Sequence, residues 1–221
     1  MRIKKIMAFG LLFVLLCTMS ATAFAKEGVN SEKQPKVVIG DTAEPVPDYV
    51  IQDIIKANPD AGQINITEYG TSDINKNKTV NQRMALQTEL YFSNVVKTQT
   101  QSGVLVSTNF VTSMAKGQSM SIGYEWSSTL SCTINGNIDA YSLGITESMT
   151  RSYSASTSFS GPPESSPYNT RFYYVNFYEN RGTYTATCYD PFPGWYINYP
   201  VSGSYTEPAY YASYNVDATV S

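Results

Sequence analysis

Residues 117–160 read GQSMSIGYEWSSTLSCTINGNIDAYSLGITESMTRSYSASTSFS, and their alternation decides the fold class. Met120, Ile122, Tyr124, Trp126, Leu130, Cys132 and Ile134 occupy even positions, with Ser119, Ser121, Glu125, Ser127, Thr129, Ser131 and Thr133 between them. Side chains on a strand point to opposite faces with period two, so this is a half-buried strand. Asn135-Gly136-Asn137 reads as a turn. Beyond it the parity reverses: Tyr141, Leu143, Ile145, Met149, Tyr153, Ala155 and Phe159 share one face, and every even position from Ser142 to Ser160 is Ser, Thr or Gly. The pattern predicts a long two-faced hairpin. A disordered serine-rich segment has no reason to keep an apolar residue at nearly every second place.

Working outward, 171–179 and 182–189 read as two more strands joined at Asn180-Arg181-Gly182. The first carries aromatics on both faces, which predicts cover on both. Residues 88–114 read as two strands around Gln101-Ser102-Gly103, and the tyrosine-rich tail 195–221 as one or two edge strands. Upstream, Ile64 and Ile66 mark a short strand before a polar loop, Thr71 to Lys78. Val50, Ile51, Ile54 and Ile55 fall at helical spacing between Asp48, read as an N-cap, and Asn58-Pro59, where proline disfavours helix. The expected architecture is all-β: an elongated antiparallel β-sandwich with long Ser/Thr-alternating strands and one short N-terminal helix.

Arg2, Lys4 and Lys5, an apolar run from Ile6 to Cys17 and the small-x-small site Ala23-Phe24-Ala25 predict a signal peptide (residues 1–25) cleaved after Ala25, hence a secreted, extracellular protein. The apolar run is short of the roughly 20 residues of a spanning helix. Leu16, where a lipid-attachment signal wants a small residue, favours simple export over an anchor at Cys17. Residues 26–47, rich in Lys, Glu, Pro and Gly, read as a flexible leader, and 48–221 as a single β-rich domain. Without Arg2, Lys4 and Lys5, 12 of the 15 basic residues face 18 acidic ones, a net charge near −6 with no basic run. Nucleic acid and anionic membrane surfaces are therefore poor electrostatic partners.

Cys132 and Cys188 remain after cleavage, so an oxidising compartment allows one pairing. Cys132 sits on the apolar face, and Cys188 shares a face with Tyr184 and Ala186. A Cys132–Cys188 bridge would contribute roughly 4 kcal/mol on the chain-entropy model; the alternative is two buried thiols. The chain has no histidine, which removes histidine-based triads and the usual zinc sites. No pattern implies a metal or cofactor. Glu125, Asp139, Glu147, Glu164 and Glu179 leave a carboxylate-only hydrolase as a remote alternative. Glu147 and Arg151 interrupt the apolar face of the second long strand and read as a wet rim or an ion pair.

Trp195, Tyr196 and Tyr199 lie in a Pro/Gly-rich segment and form the first-choice ligand patch, because flat rings with polar tips suit carbohydrate. Trp126 belongs to the core face. The hydroxylated face of the hairpin is either a solvent face or the lumen of a transmembrane barrel. With Arg151 facing lipid at mid-bilayer, insertion would cost about 2–4 kcal/mol, so 88–114 is the better inserting segment.

Long Ser/Thr-alternating strands such as 118–160 resemble the elongated β-body of aerolysin-type pore formers, the group of the epsilon-toxin and mosquitocidal toxins. They equally resemble Ser/Thr-rich secreted β-proteins of Gram-positive bacteria. The resemblance implies strands of roughly 50 Å and, for the toxin group, membrane action. Those toxins carry a separate receptor-binding region, for which only 26–78 is available here, and no functional residue carries over. The first expectation is thus a non-enzymatic extracellular binding or surface-interaction protein whose partner is a carbohydrate or cell surface. An aerolysin-like pore former is the alternative, and long exposed strand edges make self-association an expectation in either case.

Overall fold

The computed structural model describes residues 34–40, 44–71, 90–192 and 195–220. The expected signal peptide and most of the expected loop from Thr71 to Lys78 lie outside the described residues. The elements in chain order are β1 (Lys36–Ile39), α1 (Asp48–Ala57), β2 (Gln63–Gly70), β3 (Tyr91–Ala115), β4 (Ser119–Ser121), β5 (Trp126–Ser131), β6 (Thr133–Asn135), α2 (Ala140–Leu143), β7 (Ser148–Tyr153), β8 (Ser158–Ser160), β9 (Thr170–Phe192) and β10 (Trp195–Ala218). The protein is all-β, with antiparallel pairing dominant.

The main sheet runs β1-β2-β10-β9-β3, with β6 as a further partner of β10. Its frame is three very long strands, β3 of 25 residues, β9 of 23 and β10 of 24. Here the structure corrects the sequence reading in three places. Gln101-Ser102-Gly103 is no turn: β3 passes through it, and Gly103 adopts φ +62 within the register shift between Gln101 and Val104. A Cβ there would meet the hydroxyls of Tyr210 and Tyr49, so only glycine admits both the backbone and the neighbours. Asn180-Arg181-Gly182 is no turn either. At Gly182 a Cβ would run into the Tyr205 ring and the Thr98 carbonyl, so this glycine marks close approach inside a continuous strand. The tail is one strand and an edge only in part: among the described residues 195–203 of β10 pairs with β9 alone, whereas 204–206 also pairs with β6 and 211–217 with β2, and the last stretch is buried. Within the expected leader, Val37 and its neighbours form β1, parallel to β2.

Val175, Asn176, Phe177, Tyr178 and Glu179 in β9 are all buried, because each face of this stretch has its own cover. On one face, Tyr178, Ala212, Tyr214 and Val216 pack with Ile64 and Ile66 of β2 and with Val50 and Ile54 of α1, both fully buried. The helix starts after Pro47, which is extended and makes no side-chain cap. Asp48, expected at the cap, sits instead in the first turn, where its charge suits the helix dipole. On the opposite face, Val175, Phe177 and Tyr211 meet Met149 and Phe159 from the segment between β3 and β9. A third cluster, at the far end of the long strands, joins Tyr184, Ala186 and Tyr205 to Ile138 and Leu143.

The expected disulfide is absent: Cys132 and Cys188 are free. Thr133, next to Cys132, lies opposite Thr206 of β10, which lies opposite Arg181 of β9. Cys188 is seven residues further along β9, roughly 23 Å at 3.3 Å per residue. A bridge needs Cα atoms within about 7 Å.

Candidate functional site: the hairpin docked on the sheet

β3 and β9 are sheet neighbours, and their facing ends Ala115 and Thr170 are paired. The 54 residues between them are therefore an excursion from one edge of the sheet. Its base is closed by Lys116 N–H donating to Asn169 O (2.8 Å), Gly117 N–H to Pro162 O (2.9 Å) and Gly161 N–H to Gln118 O (2.8 Å). Gly161 is required there, since a Cβ would lie 1.8 Å from the Ala115 carbonyl oxygen.

The hairpin read from the sequence exists, though not as two unbroken strands with a turn at Asn135–Asn137. Its pairs are Met120 with Phe159, Trp126 with Tyr153 and Leu130 with Met149. In all of them the two residue numbers sum to 279, and the Cys132 N–H bond to Glu147 O (2.7 Å) keeps that register. The arms thus stay aligned although Gly123, at φ +72, interrupts one of them. The alternation cannot report the tip. Beyond Cys132 the chain leaves the hairpin, β6 pairs with β10, and α2 follows, capped by Asp139 Oδ1 accepting from Ser142 N–H (2.7 Å).

The two faces of the hairpin have different fates. Ser119, Ser121, Ser127, Thr129 and Ser131 on one arm, and Ser148, Thr150, Ser152, Ser154, Ser156, Ser158 and Ser160 on the other, are exposed. Thr129 and Thr150 hydroxyls meet across the arms at 2.8 Å. Most of the apolar face lies on the sheet, with Met149 and Phe159 buried and Ile122, Trp126, Leu130 and Tyr153 packed around them, while Met120 and Tyr124 stay exposed.

Few polar contacts fasten this face. Trp126 Nε1–H donates to Phe110 O (3.2 Å), and Tyr153 O–H to Ser213 Oγ (3.2 Å). The strongest involves Arg151, which does not pair with its neighbour Glu147 as one sequence reading had it. Its guanidinium reaches Glu68 of β2 at 2.6 Å and stacks on the rings of Tyr153 (4.2 Å) and Tyr211 (5.6 Å). Tyr211 donates its hydroxyl to the other Glu68 oxygen. Burial, and then that bond to a carboxylate, push the Tyr211 phenol well above its ordinary range, so it stays a donor. Arg151 Nε is buried without a partner, so the cation is held by Glu68, by the Ser152 carbonyl that accepts from Nη1 (2.7 Å) and by the two rings. No sequence signal flagged Glu68 or Tyr211, because their role depends on strand order.

The expected ligand patch falls at the far end of the long strands. Trp195 pairs with Phe192 through the backbone. The side chains of Trp195 and Tyr196 lie outside the described ones. Tyr199 is exposed beside Cys188, which supplies the main cause of its raised phenol pKa. By strand alternation the Tyr91–Tyr189 stack, with ring centres 4.4 Å apart, occupies the opposite face. Trp126 sits under the hairpin. Among the described residues no group of three or more His, Cys, Asp or Glu side chains is placed to hold a metal. Comparisons with family models, with curated proteins and with solved structures found no match to this chain.

Proposed function

We propose that this chain is a membrane-acting, pore-forming protein in which the hairpin 117–160, rather than 88–114, supplies the inserting strands. The observation that carries the reading is a hairpin already paired in one register, with an apolar face laid on the sheet and a hydroxyl face in water. Residues 88–114 offer no hairpin, since their described part from Tyr91 onward is one strand of the main sheet. Met120–Leu130 and Met149–Phe159 are each 11 residues long, which suits the roughly 9–11 residues of a tilted transmembrane strand.

The objection from Arg151 weakens once the register is known. Arg151 lies opposite Ser128, two residues from the Leu130/Met149 end of the apolar stretch. A cation near a membrane interface costs about 0–1 kcal/mol, against 2–4 at the midplane. Glu147 lies beyond that end, level with Cys132. The lumen would then carry Ser and Thr hydroxyls, the bare backbone of Gly123 and one charge, Glu125. Two strands cannot close a barrel, and the smallest closed form of about eight strands needs four copies.

A second reading, an extracellular binding protein without enzymatic activity, draws on the exposed rings at the far end of the sheet, Tyr91 and Tyr199 among them. The two are separated by conductance across a planar bilayer with the chain starting at Lys26. Under the pore reading, discrete channels appear and prefer cations, and Glu125→Lys turns the preference toward anions. Channels whose selectivity ignores Glu125→Lys would remove the hairpin from the lumen. No conductance on any lipid composition would leave the binding reading.

A further inference from the structure

Where β6 leaves the hairpin and joins β10 as a further strand of the main sheet, an open depression of about 360 Å³ lies over β3, β9, β10 and β6. We propose that this depression is a binding site for a neutral polyhydroxylated ligand, a monosaccharide unit or the end of a glycan. Its floor is Arg181 and Thr183 of β9 beside Thr206 and Ser204 of β10, which lie opposite them in register. Thr133 and Asn135 of β6, in register with Thr206 and Ser204, extend that floor by one strand.

The charges at the floor choose the ligand. Glu179 is nearly buried, and its Oε1 accepts from Arg181 Nε at 2.7 Å, while the Arg181 side chain remains 44% exposed. The pair is neutral as a unit. Among the described residues, Glu179 Oε2 and the two terminal nitrogens of Arg181 meet no protein partner. The depression therefore presents a strong acceptor and strong donors side by side. Because the two charges are paired, neither an anion nor a cation meets an uncompensated opposite charge. A vicinal diol gives a hydrogen bond to the first and takes one from the second with adjacent atoms. Hydroxyls of Thr133 and Thr183 lie within the same lining, ready for further bonds in either sense. The volume is at the small end of ligand sites, which suits one or two sugar rings.

The depression lacks an exposed aromatic face, since Tyr205 in its lining is buried. Affinity rests on hydrogen bonds that compete with water, so a single sugar is expected to bind with a Kd on the order of millimolar, as a few kcal/mol of binding energy gives. One consequence rests on the pore reading. Because β6 belongs to the excursion, a bound sugar would hold the hairpin tip against β10 and disfavour its release.

The test is an amide NMR titration of the folded chain starting at Lys26 with methyl glycosides of glucose, galactose, mannose and N-acetylglucosamine, with inorganic phosphate and an alkylammonium salt as charged probes. At least one glycoside is expected to move the amides of 133–135, 179–183 and 204–206, and Glu179→Gln and Arg181→Gln each to weaken that response at least tenfold. Thr183→Val, which keeps the charge pair and the strand, should weaken it about threefold and guards against misfolding of the charge variants. No response to any glycoside, a response that survives all three variants, or a stronger response to phosphate or ammonium would overturn the assignment. Membrane activity plays no part in the readout, so this site and the pore reading stand or fall separately.

Discussion

Glu68→Gln is the substitution that most directly tests how the hairpin is held. It keeps the shape and removes the charge that meets Arg151 and the Tyr211 hydroxyl. Hydrogen bonds to a charged group contribute about 1.5–3 kcal/mol when shielded, and exposed ion pairs about 0.2–1. The pair lies between these limits, with side chains 22% and 41% exposed. The loss expected is about 1.4 kcal/mol, or tenfold in the opening equilibrium of the hairpin. Native-state hydrogen exchange reads that equilibrium locally. Amides of β5 and β7 should exchange about tenfold faster in the variant, while those of 175–178 in β9 keep their rates. Equal acceleration in both regions would mean that the hairpin opens only with the whole domain. No change in β5 and β7 would mean that Glu68 contributes nothing to docking. Either result would sink the idea of a separately releasable hairpin fastened at this point.

Met149→Ala, which empties a fully buried position beneath the hairpin, should cost about 2–5 kcal/mol in urea unfolding. Gly103→Ala should destabilise by about 1–3 kcal/mol, since the left-handed backbone and the Tyr210 and Tyr49 hydroxyls both oppose a Cβ; a neutral effect would show that the bulge relaxes. Burial pushes Tyr69 and Tyr214 up to about 12, and Tyr178 and Tyr211 higher still. Their folded pKa values exceed the ordinary 10, so the folded state keeps protons that the unfolded chain releases. Stability should be intact below pH 10 and fall as pH rises from there towards 12, with tyrosinate absorbance appearing late and together with unfolding. Thiol titration should find Cys188 unreactive until unfolding and Cys132 slow, because burial and the nearby Glu147 raise its pKa. The Tm of the unchanged chain should be the same with and without reductant; a drop in reductant that Cys132→Ser abolishes would mean a bridge forms in solution.

Periodicity reported faces well and continuity badly. The switch from even apolar positions before Cys132 to odd ones after Leu143 already required an odd sum of paired residue numbers, and 279 is that sum. It could not reveal where the arms break, because Gly123 and the departure of β6 leave the alternation of side chains intact. The long strands were hidden by composition. Gln-Ser-Gly at 101–103 and Asn-Arg-Gly at 180–182 carry turn residues, yet each glycine stands where a tyrosine from a neighbouring element occupies the space of a side chain. That crowding is tertiary and leaves no local trace. The same holds for the site. Arg151 was conspicuous as a charge on an apolar face, whereas its partner came from a strand 83 residues earlier. Trp195 and Tyr196 drew attention by composition, and the polar depression did not, because its Thr and Ser residues look alike wherever they fall.

β3 ends the main sheet, and among the described residues its outer edge has no strand beside it in the sheet order. Five register shifts divide its pairing with β9, and no uninterrupted run of paired residues exceeds four. A foreign strand approaching that edge would find three or four residues in step and then lose the pleat. Fibril growth needs a longer uninterrupted template than this. In a strand of more than 20 residues, those interruptions leave the longest open side a poor template for amyloid.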